Sequence, residues 1–537
     1  MSSAARNSLK LSVFTIGSRL LGVIRDHYQA FFLGTGAVSA AWEIAYLLPN
    51  MLRNLLADGI LAQSFIPVYS EALDRSEAEA RRVSGLILTF LAIALSTLVC
   101  LGVLSFPYVL PVLFDQTPEE ADLLVDISRV MFVFILTASL TAILAGMANS
   151  HQHFSFPALS PILLNVVFLF GFLFVLDVEL FTPAENVRRL AIVVVVGGFA
   201  QLLLQSVYIV RNGWRPRLHL DLKDPALGKI FSLMAPAVLG AGLFQLNQLS
   251  DVAIASFFIP DDQDAIPALR YSQRLIQLPT GVIGVALSTA ILPALSRGLR
   301  DRTPEKSAEH ARELEGALSF ALFLTVPAAL GLYFLDSEII NFIYFGGLWD
   351  AESTRLTALA LVFYSLGVPF FSINRILTSA YFAHQDTRTP VRFLGLIAVV
   401  NFSMNMMLVH SFYQSGIAIS SVCSSALYTI LLGWFFHKNY LRFSGRRLLA
   451  FFQKSMPVWV IFAAYLLALN WYGQDMLYAL ADSMSENVGG LHPVRYRALA
   501  MLLVGVGGGG ALYFALAHLF RMEELRVITR FVRRDRG

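Results

Sequence analysis

Val83–Leu113 reads VSGLILTFLAIALSTLVCLGVLSFPYVLPVL, a run without a single Asp, Glu, Lys or Arg. A helix rises about 1.5 Å per residue, so about 20 residues cross the roughly 30 Å of bilayer hydrocarbon. The run is long enough, and Arg81 and Arg82 stand just before it. In lipid the backbone must satisfy its own N–H and C=O groups, and with no alternating strand pattern in the sequence only a helix does so. Thirteen further blocks of this kind predict fourteen helices in all. They fall near 8–33, 39–66, 83–113, 123–149, 157–180, 188–210, 228–257, 266–296, 312–335, 355–382, 390–411, 415–436, 452–472 and 495–520. Composition agrees: of 537 residues 56% are apolar and 14% charged, against about 45–50% and roughly 25% in ordinary globular chains. The sequence predicts an all-α integral membrane protein and excludes a soluble fold. A net charge of +3 is too small to suggest a nucleic-acid partner. Cys100 and Cys423 lie inside apolar blocks and are expected as free core thiols, without disulfide or zinc.

Basic residues orient these helices, because cytoplasmic loops hold the Lys and Arg. One set of loops carries Arg75, Arg81 and Arg82; Arg211, Arg215, Arg217 and Lys223; Arg297, Arg300, Arg302 and Lys306; Arg388; and Lys438, Arg442, Arg446 and Arg447. The alternate loops 34–38, 114–122, 181–187, 258–265, 336–354, 412–414 and 473–494 contain neither residue type. Both termini are therefore expected in the cytoplasm, and the first block, with Arg19 and Arg25, is not a cleaved signal peptide. Residues 30–73 and 256–299 resemble each other at an offset near 226: Ala30–Phe32 answers Ser256–Phe258, and Ile66–Leu73 answers Leu292–Leu299. Helices 1 and 7 both start inside, so the repeat is parallel, with an axis along the membrane normal. This predicts two six-helix lobes in pseudo-twofold relation, 1–210 and 211–440, with helices 13 and 14 and a basic tail in 441–537. A substrate path would run between the lobes.

Arg19, Arg25, Arg53 and Arg274 fall inside helices 1, 2 and 8. A central Arg costs roughly 2.5–3.5 kcal/mol on the insertion scale, so the four imply on the order of 10 kcal/mol unless water, partners or ligand offset it. Asp26, Glu43 and Asp58 are at hand for structural ion pairs. For the cluster the sequence favours a hydrated cationic cavity, because guanidinium pairs bidentately with phosphate or carboxylate. Pro49 and Pro279 break helices 2 and 8 near these arginines and read as bending points for gating, or as ordinary kinks. A second polar set comprises Asp251, Asn401, Asn405 and Ser421. It reads as a sodium or proton site, or else as an interhelical hydrogen-bond cluster. The V-G-V-G-G-G-G run at Val504–Gly510 allows close helix packing or a shallow groove for a lipid chain. His151 and His153 are read as surface. With no Walker loop, nucleophile elbow, H-E-x-x-H or catalytic carboxylate pair, no enzyme is predicted.

Five stretches carry a family resemblance: S-R-L-L-G-V-I-R-D at Ser18–Asp26, L-P-N-M-L-R-N-L-L-A-D-G at Leu48–Gly59, Q-S-F-I-P-V-Y-S-E at Gln63–Glu71, Y-S-Q-R-L-I-Q-L-P-T-G-V-I-G-V-A-L at Tyr271–Leu287 and Y-F-A-H-Q-D-T-R-T-P-V at Tyr381–Val391. They resemble the MviN/MurJ proteins, lipid II flippases of bacterial peptidoglycan synthesis within a superfamily of two-lobed, alternating-access exporters. The resemblance implies fourteen helices, a cytoplasmic (inner) membrane location, and lipid II, the bilayer and cell-wall synthesis machinery as partners. It implies that Arg19, Arg25, Arg53 and Arg274 meet the diphosphate and nearby acidic groups. Helices 13 and 14 would guide the undecaprenyl tail. Asp26 matches an acidic residue beside the second arginine, and Asp58 stands where the family usually has Glu. Two positions depart: S-A-A-W at Ser39–Trp42 replaces the common T-D-A-F, with Glu43 nearby as a substitute carboxylate, and Gln273 stands where Asp is common. Each charge moved across 100 mV changes energy by roughly 2.3 kcal/mol, so membrane potential, or an ion at Asp251, could reset an empty cationic carrier. The alternatives are an exporter of another polyprenyl-diphosphate oligosaccharide or an intramembrane enzyme acting on such lipids.

Overall fold

A computed structural model describes residues 3–56, 60–260, 263–284, 304–488 and 492–526. The described residues form helices and turns, with one isolated bridge between Gly346 and Trp349. They divide into two compact units, Met1–Phe257 with Gly346–Trp349, and Phe258–Phe345 with Asp350–Gly537.

The first unit holds α1 (Ser3–Leu33), α2 (Ala37–Leu56), α3 (Ile60–Arg75), α4 (Glu77–Leu113), α5 (Pro118–Met131), α6 (Phe134–Ser150), α7 (Ser160–Phe174), α8 (Pro183–Arg211) and nearly all of α9 (Pro225–Phe258). The opening block is thus α4, longer than predicted because Ser76 caps it: the serine hydroxyl accepts from the Glu79 amide at 3.1 Å. Thr182 caps α8 with Glu185 in a reciprocal box. The core joins Phe65 and Tyr69 of α3, Leu86 and Ile87 of α4, Ile143 and Met147 of α6, and Ile209 of α8. Ile230 and Met234 of α9 complete it. The repeat assigns α9 to the second lobe, yet its N-terminal half packs here, with Lys229 paired to Glu71 and Phe231 edge-on to Phe90.

The second unit holds α10 (Ala265–Pro279), α11 (Pro304–Phe334), α12 (Asp336–Tyr344), α13 (Ala351–Ala383), α14 (Arg388–Asn439), α15 (Arg446–Ala468), α16 (Gln474–Val488), α17 (Pro493–Leu502) and α18 (Gly509–Leu519). One core joins Leu314, Ile376, Tyr381, Leu432 and Phe436 of α11, α13 and α14. A second joins Phe323 of α11 to Val458, Phe462 and Leu466 of α15, Met501 of α17 and Tyr513 of α18.

Nine helices among the described residues are long and apolar enough to cross a membrane, ten if the bent pair Pro225–Ala235 and Gly240–Phe258 is one span. Fourteen were expected, and the reasons for the difference are physical. The 52-residue α14 merges two predicted helices across Tyr413, whose φ of 49° and ψ of −130° turn the chain. The others are α1, α2 and α10, the helices that carry the arginines; polar and charged residues lower the hydropathy of α1 and α2, α10 is 15 residues long, and residues 285–303 lie outside the described set. Several local expectations need correction. Cys100 and Cys423 are exposed rather than core thiols. Pro49 sits inside an unbroken α2, so it does not break that helix. The outer loop predicted at 473–494 is largely helix, because a π-turn at Leu469–Gly473 carries α15 into α16; the Asn470 amide serves the Phe334 carbonyl across that irregularity at 2.6 Å. His151 is not a bare surface group. Its ring stacks on Trp214 at 3.9 Å and shares a hydrogen bond with Tyr69 at 3.1 Å. Burial, helped by neighbouring His153, holds its pKa below the ordinary imidazole value.

The glycine run packs closely on one side. Leu503–Gly508 forms a π-turn between α17 and α18, and the Tyr465 hydroxyl donates to the Val504 carbonyl at 2.9 Å. A Cβ at Gly505 would meet Leu335 at 2.7 Å and one at Gly509 would meet Phe462 at 3.0 Å, whereas Gly507 and Gly510 face open space.

Candidate functional site

In the first unit α1 presents Arg19 exposed and Arg25 half-buried. Arg25 is fixed on three sides. Its Nε and Nη2 donate to Asp26 Oδ1 at 3.1 and 2.7 Å, and its Nη1 donates to Asn165 Oδ1 at 3.2 Å. Its guanidinium lies 5.5 Å from the centre of the Phe168 ring. Asn165 in turn donates to the Ser18 carbonyl at 3.0 Å, so one asparagine of α7 grips α1 at two levels. Tyr28 and Phe32 stack on Phe172 one face further along. The arginine keeps its place because α7 supplies both an amide and a ring face, the two surfaces that suit a planar cation.

Glu43 of α2 is 1% exposed and accepts from the Gln29 amide of α1 at 2.8 Å. The substitute carboxylate foreseen for Ala40 is therefore a buried tie between α1 and α2. Arg53, one turn beyond Pro49, donates from Nε and Nη2 to Asn50 Oδ1 at 3.1 and 2.8 Å, and from Nη2 to Asn54 at 3.2 Å. These two acceptors are neutral amides. Asp58 lies outside the described residues.

In the second unit Arg274 of α10 is half-buried, 4.9 Å from the centre of the Tyr271 ring, and Tyr271 packs edge-on against Tyr344 at 5.0 Å. Gln273 donates to the Tyr364 hydroxyl of α13 at 2.9 Å and accepts from Arg270 Nη1 at 3.4 Å, so this departure ties α13 to a cation of its own helix. Pro279 ends α10, and a π-turn follows at Thr280–Gly284; Thr280 Oγ1 donates back to the Ile276 carbonyl at 2.8 Å. π-turns concentrate where helices must yield or bind. A Cβ on Gly284 would lie 3.3 Å from the Arg375 side chain, which places that exposed arginine beside the turn. Arg355 instead pairs with Glu352 at an exposed helix start.

Of the second polar set, Asn405 Nδ2 donates to Asn401 Oδ1 at 3.1 Å, and both side chains are buried. Ser421 is half-buried on the far side of the Tyr413 kink. Asp251, 6% exposed, belongs to the first unit and the other three to the second. Among the described residues no three His, Cys, Asp or Glu side chains group as metal ligands.

Sequence reasoning missed Asn165, Phe168 and Gln29. A polar amide standing alone in the otherwise apolar stretch 161–176 was the available signal for Asn165. We expect Glu43→Leu to lower stability by about 1–3 kcal/mol, because it strands the buried Gln29 amide. Thermal unfolding of the purified variant measures this, and an unchanged midpoint would show that the tie carries no weight.

The lipid II flippase MurJ family model matches residues 29–480. A probable lipid II flippase MurJ of Rhizobium meliloti is 30% identical over 97% of this chain and 94% of its own length. The lipid II flippase MurJ of Burkholderia cenocepacia is 30% identical over 85% of this chain and 86% of its own. A solved lipid II flippase MurJ in an inward closed conformation superposes with a TM-score of 0.74 at 22% identity, covering 95% of this chain and 98% of that one. With its arginine-bearing helices built as described, and with this match over most of its length, the chain belongs to the MurJ lipid II flippase family, a family of multi-span membrane transporters and not of enzymes.

Proposed function

We propose that this chain moves lipid II from the cytoplasmic to the outer leaflet of the bacterial inner membrane by alternating access. In this reading it makes fourteen crossings, keeps both termini in the cytoplasm, and consists of lobes 1–210 and 211–440 with 441–537 appended. The observation that carries it is that Arg19, Arg25, Arg53 and Arg274 all stand on α1, α2 and α10, helices that fall within the predicted crossings. A chain keeps charge in a membrane where charge is used. The substrate is a diphosphate, and guanidinium is the side chain suited to it. We assign Asp26, Glu43, Asp58, Pro49 and Pro279 to gating: Asp26 holds Arg25, Glu43 ties α1 to α2 through Gln29, and the π-turn after Pro279 supplies a yielding point. Asp251, Asn401, Asn405 and Ser421 remain our candidates for sodium or proton coupling, and cell-wall synthesis enzymes for its physical partners.

The test is complementation of cells depleted of their own lipid II flippase. Wild type should restore growth and outer-leaflet lipid II. A well-expressed chain that does not restore either would redirect the assignment to another polyprenyl-diphosphate cargo. Removing sodium during a lipid II transport assay separates the coupling readings: loss of transport favours sodium, and sensitivity to a protonophore alone favours protons.

A further inference from the structure

The second unit contains a cavity of about 520 Å³ walled by α12, the start of α13, the first turns of α16 and the start of α17. Its size is that of a small-molecule site. One wall is apolar, with Leu359, Val362 and Phe363 of α13. The other wall carries charge, and the charges are unequal in how they are met. Arg355 is held by Glu352 at 2.8 and 2.5 Å, and Arg497 by Asp482 at 2.7 and 2.7 Å. Each arginine thus brings its own carboxylate. Asp336 and Glu338 also line the cavity and form no ion pair among the described residues. Asp336 accepts from the Ser337 amide at 2.6 Å, and Glu338, only 7% exposed, accepts from the Tyr478 hydroxyl at 3.2 Å.

Two carboxylates therefore face a mostly apolar space with neutral donors alone. Charge withdrawn from water in this way is costly unless it is neutralised or paired. A bare metal ion fits poorly, since no third acidic, His or Cys ligand joins them among the described residues and much of the wall is hydrocarbon. An ammonium on a short organic arm fits both walls. Its N–H donors match the carboxylates, and the Tyr478 ring, which already lies 5.5 Å from the Arg497 guanidinium, offers a face to a cation.

We infer that this cavity is a binding site for a primary ammonium group, held by Asp336 and Glu338 with its carbon arm against Phe363. The loop 336–354 carries no basic residue, which in the topology proposed above places the cavity at the outer face. Two sources of such an amine occur there: an aminophospholipid headgroup, and an amino group on the peptide of the exported cargo. The second rests on the flippase reading; the site itself does not.

Burial pushes the Asp336 and Glu338 carboxyls above their usual range, and the Asp336 charge adds to the rise at Glu338. A carboxyl raised in the folded state costs stability as pH climbs from its unfolded to its folded value, and the whole cost remains above that. An ammonium ligand offsets this cost only where the carboxyls are ionised. The other charged or titratable groups at the cavity are Tyr478, Arg497 with Asp482, and Arg355 with Glu352, with Asp350 capping α13 alongside.

The experiment uses the full-length protein in phosphatidylcholine nanodiscs, titrated with phenethylammonium. Saturable binding is expected, stronger at about pH 8 than at about pH 5 and weakened roughly tenfold or more by Glu338→Gln or by Asp336→Asn. Tyr478→Phe keeps both charges and the ring and should bind within roughly threefold of wild type, which separates loss of charge from a damaged cavity. Competition by phosphatidylethanolamine identifies the lipid as the source, and competition by a lysyl peptide identifies the cargo. Failure of the wild type to bind, or equal binding by the two charge-removing variants, would overturn the site. Complementation by wild type alongside a failed titration would reject this site and leave the flippase reading standing.

Discussion

Arg25→Ala, expressed at the abundance of wild type, should fail to restore outer-leaflet lipid II in flippase-depleted cells, with export reduced on the order of a hundredfold. The size follows from the bond it removes. A hydrogen bond to a charged group contributes about 1.5–3 kcal/mol, and a bidentate guanidinium makes two of them to a diphosphate. Arg25 is the arginine whose position is most fully determined, by Asp26, by Asn165 and by the face of Phe168. Its donors are therefore presented to a substrate without the entropy of fixing a loose side chain. Arg25→Lys keeps the charge and loses the fork, and should recover only part of the activity. Asn165→Ala leaves the arginine in place but releases it from α7. It should give an intermediate loss, and this variant discriminates a positioned cation from a general electrostatic field. If Arg25→Ala supported normal growth at normal abundance, Arg25 would be a structural ion pair with Asp26 and nothing more.

The sequence made the helices legible because lipid leaves the backbone so little choice. It was least informative where side chains meet across helices. Nothing in the chain indicates that Glu43 finds Gln29 on the preceding helix, or that Asn165 holds Arg25 across 140 residues. Periodicity also misjudged irregular helix. The block read as ending at residue 472 continues through a π-turn into α16, since one inserted residue shifts the hydrogen-bond register without interrupting the helix. Pro49 misled in the opposite direction. A proline removes one hydrogen bond, and α2 accommodates that loss within a packed helix instead of breaking there. The arginines were legible for a different reason: charge in a hydrocarbon span is expensive enough to be seen without any knowledge of its partners.

Gly85→Leu should cost about 3–5 kcal/mol and collapse the yield of folded protein, a loss in the range reserved for severe overpacking. Gly85 is buried on the first turns of α4, where the chain leading from α8 to α9 crosses it. A Cβ built there would lie 1.9 Å from the Arg217 carbonyl oxygen and 2.2 Å from its carbon. Both are backbone atoms, so no rotamer change relieves the clash. The crossing segment cannot simply step aside either. The Arg217 amide donates to the Arg81 carbonyl at 2.9 Å, and further along the buried Asp224 pairs with Arg82. Moving the segment away from Gly85 breaks the first bond and strains the second, whose carboxylate would be left buried without its cation. Gly85→Ala meets the same backbone with one carbon and should already lower the unfolding midpoint measurably in detergent. Leu at Gly213, which faces open space in the same segment at a φ of 79°, incurs backbone strain of about 1–2 kcal/mol without a clash. The ordering expected is therefore Gly85→Leu far below Gly213→Leu. Equal midpoints for the two would mean that the contact between α4 and the α8–α9 connection is not what holds this end of the first unit together. The same contact bears on transport, because the α8–α9 connection leads directly into the helix that joins one compact unit to the next. A loosened crossing should therefore uncouple lipid II export even in the fraction of Gly85→Ala that folds.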